Sequence, residues 1–397
     1  MTTPQIAIGI DYGNGFTAVT IRKGTHTTHM AFPSAGSQLA TVLFDDNGSW
    51  VYGQSAEAMA FKDPTKCYRF IKRGLADNPD DPWLGSPHTP VTLTTLFLRH
   101  VWKVIQTVHP EVCNYVPELG GTEDSELLSL VMSHPDDQTL QQQGGLRDAV
   151  QAVGDGFGGA VKGFLGESAA AAHLFREQHA AKLRPDQHIA VLDAGTGTFD
   201  VSVLLFDGKT ISVVCHAGEV VGGLNCTGAL YVAQCDKLGI ASLYDPAVGL
   251  VLSSGLNPDE ARLHNKLWET CDALKIELSN NDSPVKFLDH GSELLELSVT
   301  RDEADALWET IRQRMHDAMG RVLQTSSLTW SNIPHVLCVG GGALLSFMRP
   351  MAAAATDRDE KDVYIDPQPS HVVSNGNAYQ AMAVSPPCFA TASSTNW

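Results

Sequence analysis

Apolar and polar residues alternate with period two in two blocks that read almost as copies. IAIGIDYGNGFTAVTI (Ile6 to Ile21) and IAVLDAGTGTFDVSVLLFDG (Ile189 to Gly208) each run apolar, then Asp-x-Gly-x-Gly, then β-branched and aromatic. Asp11, Gly13 and Gly15 recur as Asp193, Gly195 and Gly197, each 182 positions later. The pattern predicts a β-hairpin with a glycine-rich turn after a carboxylate. Two such hairpins, one per half, predict a two-lobed protein gripping one anion between two turns. The natural anion is a nucleoside triphosphate with its metal.

Between and beyond the hairpins, strand pairs alternate with helices twice over, an α/β order that suggests duplication. Val42–Ala56 predicts two strands about an Asp-Asn-Gly turn, and Val91–Val108 a helix. Ser129–Pro135 reads as a strand. The following DDQTLQQQGGLRDAVQAVG reads as a helix with an aspartate N-cap, and Gly163–Leu183 as an alanine-rich helix. In the second half, Gly222–Gly239 and Pro258–Ser279 predict helices, SPVKFL and LLELSVT strands, and Arg301–Thr325 one amphipathic helix. HVLCVGGGALLS (His335–Ser346) reads as a buried strand, a triple glycine and a helix start.

The chain has 397 residues, enough for two full cores, and its 43% hydrophobic and 18% charged content is that of a soluble globular protein. The net charge of −18 argues against nucleic acid and anionic membranes as partners. No run is long and apolar enough to span a bilayer, and Met1–Gln5 lacks a signal-peptide pattern. Eight scattered cysteines without a CxxC pair read as reduced thiols, so a cytoplasmic location is expected.

Glycines in a strand-to-strand turn let backbone N–H groups approach phosphate without a Cβ in the way. Asp11 and Asp193 cannot touch phosphate directly, so their expected role is to hold hydrated Mg²⁺. Gly340, Gly341 and Gly342 between a strand and a helix would let a flat ring lie against backbone. There is neither a Gly-x-Gly-x-x-Gly fingerprint nor a Walker loop. His26 and His29 have ligand-like spacing but no neighbours to complete a site, and His134 reads as structural.

The glycine turns, in this order and spacing, resemble the actin, sugar-kinase and heat-shock ATPase superfamily, and within it the nucleotide-binding domain of the 70-kDa heat-shock chaperones. GIDYGNGFT, FIKRGL, GESAAAA, DAGTGTFDVSV and VGGGALL carry the likeness, with GEVVGGLNCTGAL a weaker sixth. It implies a two-lobed actin-like α/β fold with duplicated mixed-sheet (ribonuclease H-like) cores about a central cleft. Lobe I would be 1–188 with 372–390 packing back on it, lobe II 189–371, and 391–397 a disordered tail.

The resemblance implies ATP or ADP with Mg²⁺ as ligands and ATP hydrolysis as the activity. Asp11 and Asp193 would hold the metal through water, while Gly13, Asn14, Gly15, Gly195, Thr196 and Gly197 would cradle phosphate. Thr198 would lie near the γ-phosphate, Lys72 would position the attacking water, and Glu167 and Asp200 would orient water and the metal shell. Gly222 and Gly223 would approach the sugar or β-phosphate. Gly340, Gly341 and Gly342 would face adenosine, with Asp272, Lys275 and Ser279 opposite on one helix face. Without the resemblance, Lys72 is equally a solvated basic face and Glu167 a helix-dipole residue.

Three departures stand out. Asn14-Gly15 replaces the paired small hydroxyl residues usual in the first turn, Leu344 stands where an arginine usually stacks on adenine, and Ser370 replaces an aspartate. No apolar linker or β-rich peptide-binding domain follows, so a stand-alone ATP-binding domain that regulates a protein partner is expected. The alternatives are a self-associating, actin-like filament-forming ATPase, a small-molecule kinase of the same superfamily, and a pseudoenzyme that keeps ATP as a structural ligand.

Overall fold

The computed structural model describes residues 6–383 except 61, 84–85, 137, 247–248, 252–255 and 292. The predicted tail, Cys388 and the 384–390 part of the lobe I segment lie outside the described residues. The seven other cysteines are free thiols.

The first predicted hairpin forms from β1 (Ile6–Tyr12) and β2 (Phe16–Lys23), extended by β3 (His26–His29), with β4 (Gln38–Ala40) also on β2. β5 (Leu43–Asp46) and β6 (Ser49–Tyr52) form the Asp-Asn-Gly hairpin, and β7 (Cys67–Tyr68) joins β5. Asn47 and Gly48 take φ of 54° and 91°, the left-handed values this tight turn requires. β8 (Leu128–His134) and β9 (Val161–Gly166) add in parallel beyond β1, giving the order β3-β2-β1-β8-β9.

The second half repeats the plan. β10 (Gln187–Ala194), β11 (Phe199–Phe206) and β12 (Ile211–Glu219) run antiparallel. β13 (Tyr244–Asp245) pairs with β14 (Gly249–Leu250), and β15 (Val285–His290) with β16 (Glu293–Ser298). β17 (His335–Val339) and β18 (Val363–Ile365) complete the order β12-β11-β10-β17-β18. Each hairpin therefore sits beside two parallel strands, so equivalent turns open at equivalent ends of the two sheets.

Helices cover these sheets. The first half carries α1 (Gln54–Met59), α2 (Ile71–Asp77), α3 (Pro90–Val108), α4 (Gly144–Ala152), α5 (Phe157–Ala160) and α6 (Glu167–Gln178). The second carries α7 (Gly223–Leu238), α8 (Pro258–Glu277), α9 (Arg301–Leu307), α10 (Glu309–Val322), α11 (Met348–Ala355) and α12 (Val372–Ala383). None of the described helices is long and apolar enough to cross a membrane. One core packs β1, β2 and β8 against α3, centred on Ile8, Phe97 and Trp102. Another packs β10 and β11 against α7, α8 and α10, centred on Phe199, Tyr231 and Trp308.

Four predicted elements differ. The helix expected from Asp136 begins only at Gly144, because Asp136 caps another helix with its side chain, accepting the Ser168 N–H at 2.9 Å. The Gly163 start of the alanine-rich helix is strand, and the helix begins at Glu167. The long helix from Arg301 breaks at Trp308, whose backbone leaves helical geometry while its buried indole donates to the Cys226 carbonyl at 3.0 Å. The triple glycine leads into a 3₁₀ turn (Gly341–Leu344) rather than directly into an α-helix.

A seam of buried apolar residues, including Ala171, Leu174, Ile189, Val191, Leu337 and Val372, joins the halves. α6 leads from the first sheet to the second, and α12 returns from the second to lie on β1. The return is close. A Cβ on Gly9 would stand 2.0 Å from the Ser374 carbonyl oxygen, and one on Gly376 2.0 Å from that of Ala170 in α6. Asn377 ties α12 to β1 by donating to the Ile10 carbonyl at 3.0 Å.

This contact yields a stability prediction. Gly376→Ala forces α6 and α12 apart and should cost about 1–3 kcal/mol, the usual range for overpacking. Urea denaturation measures it, and an unchanged midpoint would show that the crossing yields freely.

Candidate functional site

The duplicated turns are alike in detail. The Gly13 N–H donates to the Phe16 carbonyl at 3.1 Å, and the Gly195 N–H to the Thr198 carbonyl at 2.9 Å, the same bond 182 residues on. These two N–H groups close their own turns. The tips meet across the seam. A Cβ on Gly15 would lie 2.3 Å from the Thr196 Oγ1, so only glycine leaves room for that hydroxyl. Asn14 presents a buried Oδ1 with no partner.

Strand register places Asp11 and Asp193 just before these turns, Asp11 opposite Ala18 and Asp193 opposite Asp200. The Ser133 hydroxyl, at the end of parallel β8, donates to Asp11 Oδ1 at 3.2 Å. Burial pushes the Asp11 carboxyl up to about 7, and the charge of Glu167 adds to this, against the pull of Lys72 and Ser133. Asp193 is held well above the ordinary carboxylate range by burial, then by Glu167, Asp200, Asp11 and Asp136.

Lys72, on α2, is 5% exposed and ion-paired with Glu167 at the start of α6. Burial alone would lower its pKa, but Glu167, Asp11 and Asp193 hold it above its ordinary value. A solvated basic face is thereby ruled out for Lys72. The next residue, Arg73, donates from Nη2 to the Gly197 carbonyl at 3.2 Å, tying α2 to the second turn.

The remaining candidates surround the second turn. Gly223 N–H donates to Gly195 O at 3.1 Å and Leu224 N–H to Thr196 O at 2.7 Å, while Gly222 N–H is taken by Asn225 Oδ1 at 2.8 Å. Gly223 and Leu224 therefore brace the turn with their amides, and Gly222 packs directly against it. Gly340, at φ 79°, packs where a Cβ would be 2.6 Å from Asp193 Oδ1, and Gly342 packs on Ala194; Gly341 faces open space.

On α8, Lys275 Nζ donates to Asp272 Oδ1 at 2.5 Å and to the Thr227 hydroxyl at 2.9 Å. Asp272 lies below the ordinary range because Lys275 and Thr227 outweigh its burial. Ser279 falls past the end of α8, so the single helix face expected for Asp272, Lys275 and Ser279 is not formed. Leu344 is 53% exposed, and the Ser370 hydroxyl contacts His371 Nδ1 at 3.3 Å.

Sequence reasoning missed Ser133, Arg73, Asp136 and His216. His216 Nε2 stands 3.8 Å from Asp200 Oδ1. A signal existed for two of them: Ser133 lies near the carboxyl end of a strand parallel to β1 and Asp136 two residues past it, where ligands of open α/β sheets gather.

No three potential metal-ligating side chains come together among the described residues, so Asp11 and Asp193 could hold a divalent cation through its waters but not as a direct ligand cage. Clustered carboxylates above their ordinary pKa gain most from a hard cation, which takes oxygen ligands. The bare Cα of Gly15 leaves room for the Thr196 hydroxyl, while the unpartnered Asn14 Oδ1 is an acceptor that would call for a donor such as a water molecule.

A sequence model described as Hsp70 protein matches residues 147–391. Chaperone protein DnaK of Metamycoplasma hominis is 24% identical over 396 residues, covering 95% of this chain and 58% of that protein. Chaperone protein DnaK of Elusimicrobium minutum is 25% identical over 389 residues, covering 94% and 57%. A Chaperone protein HscA homolog of Laribacter hongkongensis is 24% identical over 392 residues, covering 95% and 58%. The chain thus spans under three fifths of the length of these relatives.

The carboxyl shifts predict a pH dependence for metal-free protein. Asp11 holds its proton more tightly folded than unfolded, so its stabilising contribution is complete below about pH 4 and is lost as pH rises through about 7. In EDTA the melting temperature should fall from pH 5 to 8. Asp11→Asn should flatten that slope and melt higher than the parent at pH 8; a slope identical in both proteins would contradict the shift.

Proposed function

Since this chain belongs to the Hsp70 protein family, we propose that it binds magnesium–ATP between its lobes, hydrolyses it slowly and uses the resulting lobe motion to regulate a protein partner. The observation that carries this reading is the cluster of half-buried Asp11, Asp193 and Glu167 about buried Lys72, where two equivalent glycine turns touch.

Asp11 and Asp193 would hold the waters of Mg²⁺, which supplies neutralising charge to the phosphates when bound. Lys72, fixed by Glu167, orients the attacking water, and Asp200 accepts a hydrogen bond from that water or from the metal's shell. The N–H groups of Asn14, Gly15, Thr196 and Gly197 face phosphate, with the Thr198 hydroxyl beside the terminal group. Phosphoryl transfer needs positioning and charge compensation above all, and this set offers both. Asp272 and Lys275 line the nucleoside side opposite Gly341.

Motion follows from the same arrangement. A terminal phosphate gripped by both turns favours the closed lobes, and its loss removes that differential contact. The chaperone names of the relatives support a protein partner.

A thermal-shift titration with ATP, ADP and GTP, with and without Mg²⁺, tests binding, since a ligand selective for the native state raises its melting temperature. Asp11→Ala and Asp193→Ala should each abolish the magnesium-dependent increment; an increment kept in both would overturn the assignment. Lys72→Ala should lower the hydrolysis rate about 10²- to 10³-fold in single-turnover assays while binding persists.

A further inference from the structure

Beside the proposed site lies a second polar chain that crosses between the lobes. Asp136 leaves the end of β8 in the first lobe, and its Oδ2 accepts the Ser168 N–H at 2.9 Å. Ser168 follows Glu167 in the first turn of α6, and the N-cap of that helix, Gly166, offers no side-chain bond of its own. Gly166 also makes room: a Cβ there would lie 2.2 Å from Asp136 Oδ1. Asp136 thus fixes the start of α6, and with it the backbone that carries Glu167.

The same Oδ2 meets Ser202 Oγ of β11, in the second lobe, at 3.4 Å. Ser202 is buried and pairs directly across the sheet with His216, whose Nδ1 lies 3.2 Å from the hydroxyl. A hydroxyl has one proton. Given to the carboxylate, it leaves Ser202 to accept from His216 Nδ1–H; Nε2, 3.8 Å from Asp200 Oδ1, then attracts that carboxylate when the imidazole carries both protons. Gly218 clears space on the other side, since its Cβ would be 2.8 Å from that oxygen.

We propose that Asp136, Ser202 and His216 form an interlobe bridge of positioning residues, setting Glu167 from one side of the cleft and Asp200 from the other. The proposal deepens the nucleotide-hydrolysis reading and rests on it for its kinetic arm. Helix capping by Asp136 alone would need neither a hydroxyl from the opposite lobe nor a histidine beyond it. Burial raises the Asp136 carboxyl, the hydrogen bonds from Ser168 lower it, and Glu167 and His216 add smaller, opposing effects.

Kinetics and amide exchange test the bridge in the full chain. Asp136→Ala and His216→Ala should each lower kcat about tenfold with KM within about twofold, because a misplaced group costs the chemical step more than binding. The double variant should be no slower than Asp136→Ala, as expected of residues acting as a unit. Asp136→Asn, which keeps an oxygen for Ser168 and Ser202, should recover most of the loss. Additive losses, a raised KM with kcat intact, or full rates in both single variants would overturn the bridge.

Deuterium uptake over Glu167–Ala169, measured without nucleotide, should rise in Asp136→Ala and also in His216→Ala. Unchanged uptake in His216→Ala would overturn the bridge irrespective of nucleotide. Failure of the parent protein to bind magnesium–ATP would instead sink the proposed function, and the exchange arm would still decide the bridge.

Discussion

One buried lysine among several carboxylates is the constraint from which the rest of the centre follows. Lys72 pairs with Glu167, but Asp11, Asp193, Asp200 and Asp136 also converge, and burial first, then the charge of Glu167, raises Asp11, Asp193 and Asp136 above the ordinary carboxylate range. Two unit charges 4 Å apart interact by about 4 kcal/mol at the effective dielectric of a protein margin, so an excess of like charge here strains the fold. Protonation relieves part of the strain, and a divalent cation would relieve more. The protein keeps this cluster at the seam because each half folds as a hairpin ending in Asp-x-Gly-x-Gly, and the halves meet at those ends.

The same seam limits how the lobes can move. α6 and α12 cross with Gly376 against the Ala170 backbone, and α12 lies on β1 with Gly9 against the Ser374 backbone. Three elements packed without side chains between them cannot slide by a residue without collision. Under the proposed lobe motion, rotation about the crossing would be the soft direction, and it would open or close the gap between the glycine turns above it. Asp11 rides on β1 and Glu167 at the start of α6, so any rotation changes carboxylate spacing directly.

Much of this was legible in the sequence, and for a definite reason. Period-two alternation and glycine-aspartate turns are local signals, so both hairpins, the Asn47-Gly48 turn and the helices α3, α7 and α8 stand where the pattern puts them. What was not legible depends on distant partners. Trp308 breaks a helix because its indole finds the Cys226 carbonyl, and nothing near Arg301–Thr325 announces that. Asp136 reads as a local N-cap and is one, but for a helix starting 31 residues later. Ser279 shared a seven-residue spacing with Asp272, yet the helix ended first. The Gly13 and Gly195 amides looked free to meet phosphate until the turns closed on them.

The contact between Gly15 and Thr196 shows why the two turns have to be read together. Taken alone, Asn14-Gly15 looks like a loss, since the related chaperones carry small hydroxyl residues in the first turn. In the folded chain the hydroxyl of Thr196 stands against the bare Cα of Gly15, within the space a side chain there would fill. A hydroxyl absent from one turn is thus offered from the other, and neither residue tolerates the other's size. Two side chains at these positions would hold the lobes apart, and two glycines would leave the junction without a donor beside the unpartnered Asn14. The close fit of Thr196 against the bare Cα of Gly15 therefore makes the two turns one junction, whose halves cannot be changed independently.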